Sequence, residues 1–187
     1  SSPALSREND PGYDFCNRAI DSLAGQGFQE TCNYSLRSSE EITSWLPHLE
    51  CEKIALANPL TSEHTHVRPS LLPGLADTLA HNQKNLNNLQ GVFETGRVFR
   101  PGPRGNLECI SVAFATLAQP ESKQWNKGEP IDFFQIKAIL NKLMAATVLS
   151  LPKGHWTALD NESPWQDGYS ASIGDCHRNK LQVTTGI

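Results

Sequence analysis

The sequence predicts an α+β domain in which a mainly antiparallel sheet carries helices packed against it. Helical and strand patterns are interspersed without a strict βαβ beat, and several strand patterns after residue 89 follow one another closely enough to meander. The 187 residues are 38% hydrophobic and 19% charged, the balance of an ordinary globular chain. A chain of this length buries roughly 70% of its unfolded surface in one core. The expectation is therefore a single domain over residues 1–187, cut at its C-terminal end inside a strand.

Each element has a local reason. Asp10-Pro11 combines an N-cap with proline at the first helical position, and Phe15, Ala19, Ile20 and Leu23 then share one helical face until Gly25 and Gly27 stop it. From Phe28 the pattern alternates. Phe28, Cys32, Tyr34 and Leu36 form one side, Gln29, Thr31, Asn33 and Ser35 the other, which predicts a strand with one polar face. Ser38 and Glu41 make a capping-box pattern for a short helix through Trp45, ended by Pro47. Lys53 to Ala57 predicts a short strand running into the Asn58-Pro59 turn.

Leu72, Leu75, Ala76, Leu79 and Ala80 recur at helical spacing, with Pro73 in the first turn and a polar run from Asn82 as the end. Residues 89–102 predict a strand with a glycine break at Gly96, followed by a proline and glycine loop through Gly105 and a second strand from Ile110 to Leu117. A loop over 119–130 leads to Asp132, the cap of a helix whose Phe133, Ile136, Leu140, Leu143 and Met144 share a face. Short runs around "HWTALD", "YSASI" and "LQVTT" predict further strands.

Composition limits the chemistry. A formal net charge of −4 gives no global attraction for polyanions, so any nucleic-acid contact must be a local patch or come from a partner. No apolar run approaches the ~20 residues of a membrane span, and the polar N-terminal residues lack a secretory pattern; the expected location is cytoplasmic, away from membranes. Five scattered cysteines without a CxxC pair predict reduced, mostly buried thiols. Asn33-Tyr34-Ser35 matches a glycosylation sequon by chance.

No phosphate-binding glycine loop, dinucleotide fingerprint or nucleophile elbow is present in the sequence. His64 and His66 have no third ligand nearby in sequence, so no metal site is expected. Arg97, Arg100 and Arg104, interleaved with Phe93 and Phe99, have the composition of a phosphate or RNA contact and equally that of a solvated hairpin.

The stretch "NPLTSEHTHVRPSLLPGL" followed by "VFETGRVF" resembles the β chain of bacterial phenylalanyl-tRNA synthetase. The matching positions are Asn58, Pro59, Leu60, Glu63, Arg68, Ser70 to Leu75 with Pro73 and Gly74, then Phe93, Glu94, Gly96 and Phe99. "GFQETCNYSL", Trp125 with "DFFQIK" from Asp132 to Lys137, and "GYSASI" resemble three further family blocks in the same order. Pro69, Ala138, Asp167 and Tyr169 depart from the family pattern.

The resemblance implies a class II aminoacyl-tRNA synthetase-like core, an antiparallel sheet flanked by helices, that has lost its chemistry and serves assembly. It implies a whole enzyme of two α and two β chains in which the α chain carries the active site and phenylalanine is joined to its tRNA with ATP and magnesium. No cofactor is expected in this segment itself. Arg100 stands where catalytic relatives carry a phosphate arginine, yet Pro101-Gly102-Pro103 follows where an acidic residue is needed. Arg68 is expected to fix the loop by pairing with Glu63 or Glu94, the other reading being a place on a subunit interface. Tyr13, Asn17, Asn33 and Tyr34 are the candidate interface residues. The alternative function is a stand-alone synthetase-like module that binds an amino acid or a nucleotide.

Overall fold

The computed structural model describes residues 10–45, 53–85, 89, 91–117 and 131–147, and the backbone of 157–158, 170–173 and 183–186. The first helix, α1 (Pro11–Ala24), starts where Asp10 Oδ1 accepts from the Gly12 N–H at 2.9 Å, and it buries Ala19 and Leu23. Gly27, at φ 89°, turns the chain into β1 (Gln29–Glu30). A second short strand, β2 (Leu36–Arg37), precedes α2 (Ser39–Trp45), where Ser38 Oγ accepts from the Glu41 N–H.

Two more short strands, β3 (Ile54–Ala55) and β4 (His66–Val67), flank the Asn58-Pro59 bend, and α3 (Leu72–Lys84) carries Pro73 in its first turn. A long hairpin follows, β5 (Gly91–Gly102) against β6 (Gly105–Thr116). The helix α4 (Phe133–Ala146) opens with the full capping box of Asp132 and Gln135. Backbone strands β7 (Thr157–Ala158), β8 (Ser170–Ile173) and β9 (Val183–Gly186) form an antiparallel set.

The central sheet has the order β1-β5-β6, and β4 lies between β2 and β3 in a small second sheet. Alternation along β5 sends neighbouring side chains to opposite faces. Phe93 packs with Ala19 and Leu23 of α1 and with Leu140, Leu143 and Met144 of α4. Val92 packs on the other face with Leu75 and Leu79 of α3. The sheet is thus sandwiched, and β5 is the strand both layers share.

Three expectations are corrected. Phe28 to Leu36 is not one strand, because β1 and β2 are separated by irregular chain at Thr31–Ser35. Its predicted apolar side is partly in solvent, with Cys32 and Tyr34 exposed, while Thr31 and Asn33 are half-buried. Gly96 does not break β5, which pairs continuously from Gly91 to Gly102, and the predicted loop through Gly105 is a tight turn at Pro103-Arg104. The sheet is mainly antiparallel, as expected, with the short edge strand β1 running parallel to β5. Finally, the three described cysteines are free but none is buried: Cys16 is half-buried, Cys32 and Cys109 exposed. Cys51, Cys176, Pro47 and Trp125 lie outside the described residues.

Arg37 ties α2 to α3, with Nη1 donating at 2.8 Å to both Glu41 and Asp77. Burial pushes the Glu41 carboxyl above the ordinary carboxylate value; Arg37 opposes this and Asp77 reinforces it. A carboxyl raised by folding stabilises the fold fully below its unfolded value and loses that contribution as pH rises through the folded one. Glu41→Gln is therefore expected to melt progressively higher than the parent chain as pH is raised from about 4 to about 7. A melting-temperature difference that stays constant over this range would refute the assignment.

Candidate functional site: a buried charged network under the strap

Arg68 follows β4 and is only 6% exposed. A buried guanidinium must be paired and hydrogen-bonded, since desolvation otherwise costs several kcal/mol. Its partner is Glu94 on β5, 2% exposed, with Arg68 Nη1 at 2.5 Å from Glu94 Oε1. Arg68 also donates from Nε to the Arg97 carbonyl at 3.1 Å and from Nη1 to the Asn33 carbonyl at 3.2 Å. Its backbone joins in, as the Arg68 N–H donates to the Ser35 carbonyl and the Phe99 N–H to the Arg68 carbonyl.

The second carboxylate oxygen of Glu94 is equally occupied. Asn33 Nδ2 donates to Glu94 Oε2 at 2.8 Å. Asn33 Oδ1 in turn lies 2.9 Å from the Thr78 hydroxyl on α3, which shares its single proton between that oxygen and the Gly74 carbonyl. Thr31 binds the Phe93 carbonyl through its N–H at 2.8 Å and its hydroxyl at 3.2 Å. Residues 31–35 thus form a strap whose polar groups are drawn inward. This is why the strand pattern fails there: carbonyls that a ladder would use are taken by Arg68.

Two glycines make room. A Cβ at Gly96 would collide with Arg68 Nη2, so the missing side chain lets the guanidinium lie on β5. A Cβ at Gly74 would sit 2.8 Å from Asn33 Cβ and 2.6 Å from Arg37 Nη2, so α3 approaches the strap only through a glycine.

The other sequence-predicted residues are dispersed. Asn58, Pro59 and Glu63 are exposed, so of the two carboxylates expected for Arg68 the structure selects Glu94. The three arginines do not form one cluster. Arg97 pairs with Glu108 across the hairpin, Arg100 Nε reaches the Pro69 carbonyl at 3.4 Å from the opposite face, and Arg104 is exposed in the turn. Tyr13 and Tyr34 are 66% and 63% exposed, and Asn17 is half-buried on α1. Asn33 stands apart from them, engaged with Glu94 beneath the strap. Tyr34 stacks with His64 at 4.7 Å while His66 turns to Thr65, so the two imidazoles have separate neighbours. Asp132 acts as a cap and Lys137 is half-buried on α4.

Thr31, Thr78 and Arg37 were missed from sequence. The available signal was Gly74 itself: a glycine inside a helix costs about 1 kcal/mol relative to alanine, which points to a close approach.

A family profile described as the phenylalanyl tRNA synthetase beta chain CLM domain matches residues 1–174. The chain belongs to that family. Relatives named phenylalanine-tRNA ligase beta subunit include one from Dehalococcoides mccartyi, 30% identical over 153 residues, covering 81% of this chain and 18% of the relative. Another, from Xylella fastidiosa, is 31% identical over 156 residues, covering 81% and 19%. The chain thus spans less than a fifth of the length of these curated relatives. Among solved structures, pyrrolysyl-tRNA synthetase from Desulfitobacterium hafniense superposes with a TM-score of 0.62 at 13% identity, over 91% of this chain and 56% of that one. A histidine-tRNA ligase subunit from Alicyclobacillus acidocaldarius gives 0.56 at 14% identity, over 79% and 40%. The fold of this beta-chain domain is that of the class II synthetases, an α+β architecture.

Removing one member of a buried pair leaves the other charge uncompensated, which costs about 3–5 kcal/mol. Arg68→Met is expected to destabilise the domain by this amount, and Glu94→Leu made on that background to cost far less than it does alone, measured by urea unfolding as a double-mutant cycle. Additive costs would exclude the coupling. For Gly74→Ala, helix propensity favours alanine by about 1 kcal/mol, but the rigid Asn33 Cβ cannot yield cheaply and overpacking costs about 1–3 kcal/mol. A net loss of stability is expected in the same assay, with the Asn33 contact to Glu94 disturbed.

Proposed function

We propose that this chain is the class II-like core of a phenylalanine-tRNA ligase β subunit, serving subunit assembly and performing no aminoacylation chemistry of its own. The observation that carries this reading is that Glu94, the buried carboxylate on the α3 face of β5, is closed off by Arg68 and Asn33. Adenylate formation requires arginines aimed at the ATP phosphates and carboxylates able to hold magnesium. Here Glu94 is saturated by Arg68 and Asn33, and Arg100 leans on the Pro69 carbonyl. Among the described residues, no three histidine, cysteine, aspartate or glutamate side chains are grouped to take a metal ion. This donor set does not fit ATP with magnesium.

In the whole enzyme, ATP, magnesium and phenylalanine are then handled by an α chain, with two α and two β chains assembled in the cytoplasm. The exposed rings of Tyr13 and Tyr34, with Asn17, supply the amphipathic anchors that interfaces favour. Among the described residues no helix is long and apolar enough to cross a membrane. Arg104, exposed at the hairpin turn, is placed to meet a tRNA phosphate, an auxiliary role beside assembly.

Co-expression with the matching α chain, affinity capture and sizing test the reading. A stable complex is expected, weakened at least tenfold by joint replacement of Tyr13 and Tyr34 with serine. The isolated chain is expected to give no phenylalanine-dependent exchange of pyrophosphate into ATP. Exchange by the isolated chain would overturn the non-catalytic assignment in favour of a self-sufficient module.

A further inference from the structure

Residues 57–63, the crest of the hairpin between β3 and β4, are all exposed, and Leu60 is 98% exposed. A leucine held in water to this extent gives the fold almost no burial energy. The crest is nevertheless braced. The His64 N–H donates to the Thr61 carbonyl at 3.4 Å, and the Thr61 hydroxyl and His64 Nδ1 lie 3.2 Å apart in a second hydrogen bond that closes the turn. The exposed Tyr34 ring rests against the His64 ring, their centroids 4.7 Å apart.

Both sides of this brace are anchored in the buried network. Asn33, next to Tyr34 in the strap, is bonded to Glu94. Arg68, at the foot of the hairpin, donates its N–H to the Ser35 carbonyl at 2.9 Å while its guanidinium pairs with the same Glu94. Strap and hairpin therefore present Tyr34 and the crest from one mount. Apolar groups fixed in place beforehand lose little freedom on binding, which favours them as interface anchors. The charge of the crest narrows the class of partner. From Ile54 to Val67 the chain carries one acidic residue, Glu63, and no lysine or arginine. A nucleic-acid backbone would call for cations here; an apolar hollow on a protein would not.

We propose that Leu60 is a docking knob for the α chain of the assembled ligase, seated in an apolar hollow of that chain and buttressed by the Tyr34–His64 pair. The proposal rests on the assembly reading above, in which Tyr34 already meets the α chain, and adds the crest of the hairpin to that surface. It also gives the buried network a task beyond stability, as the mount that holds strap and hairpin together.

The test is capture of the matching α chain, titrated to give a Kd. Leu60→Ser is expected to weaken capture about tenfold, the effect of one leucine side chain left in water, with the melting temperature unchanged because so exposed a side chain adds little to the fold. Leu60→Met, which keeps the apolar volume, should stay near the parent affinity. On a His64→Ala background, where the buttress is gone, Leu60→Ser should cost clearly less than it does alone, a coupling that a merely structural histidine would not produce. Equal capture by the parent and Leu60→Ser overturns the proposal and leaves the assembly reading standing. Failure of the parent chain to capture the α chain refutes the assembly reading and the knob with it. Self-association of the isolated chain that Leu60→Ser abolishes would assign the crest to a second copy, and the proposal would fall.

Discussion

The contact between Arg68 and Glu94 is the constraint from which much of the remaining architecture follows. Two charges buried to this extent are tolerable only when every hydrogen-bonding position around them is filled. Filling those positions recruits the strap through Asn33, the hairpin through the Arg97 carbonyl, and α3 through Thr78. The network therefore couples four separate segments of chain. The bonds that join these segments link residues 26 to 61 apart in sequence, so the network exists only once the sheet and α3 have come together. Such a network specifies one arrangement of these segments, because any shifted register would strand a buried charge.

The two close-approach glycines belong to the same logic. Gly96 yields the space above β5 to a guanidinium, and Gly74 yields the side of α3 to an asparagine. Each gives up side-chain packing at its own position so that a polar group can reach its partner. The strap pays no regular ladder for this geometry; its backbone groups bond to Arg68 and to the Phe93 carbonyl instead. Polar residues that a strand pattern assigns to one uniform face end up beneath it.

A class II-like core built in this way has a consequence for function. The α3 face of the sheet holds Arg68 and Glu94 in a closed buried pair, and the other face is filled by the aromatic and aliphatic cluster of Phe93, Leu140 and Leu143. Among the described residues, the exposed rings of Tyr13 and Tyr34 and the hairpin turn at Arg104 remain open to partners. The function proposed above gives this domain a supporting part.

By itself the sequence determined whatever depends on a few neighbouring residues. Asp10 and Asp132 cap their helices, Pro73 sits in the first turn of α3, and the periodic faces of α1 and α4 bury Ala19, Leu23, Leu140, Leu143 and Met144. Capping and amphipathic periodicity act within one or two turns, so they are legible without a fold. The ordered blocks from Asn58 to Phe99 likewise disclosed the family. Only the tertiary structure decided that Glu94 rather than Glu63 holds Arg68, that Asn33 faces inward, that Gly96 marks a close approach in an unbroken strand, and that three arginines near in sequence diverge in space. Each depends on which chain segments meet across the sheet. Burial then enforces the choice, because a charge removed from water accepts only the partner that completes its hydrogen bonds.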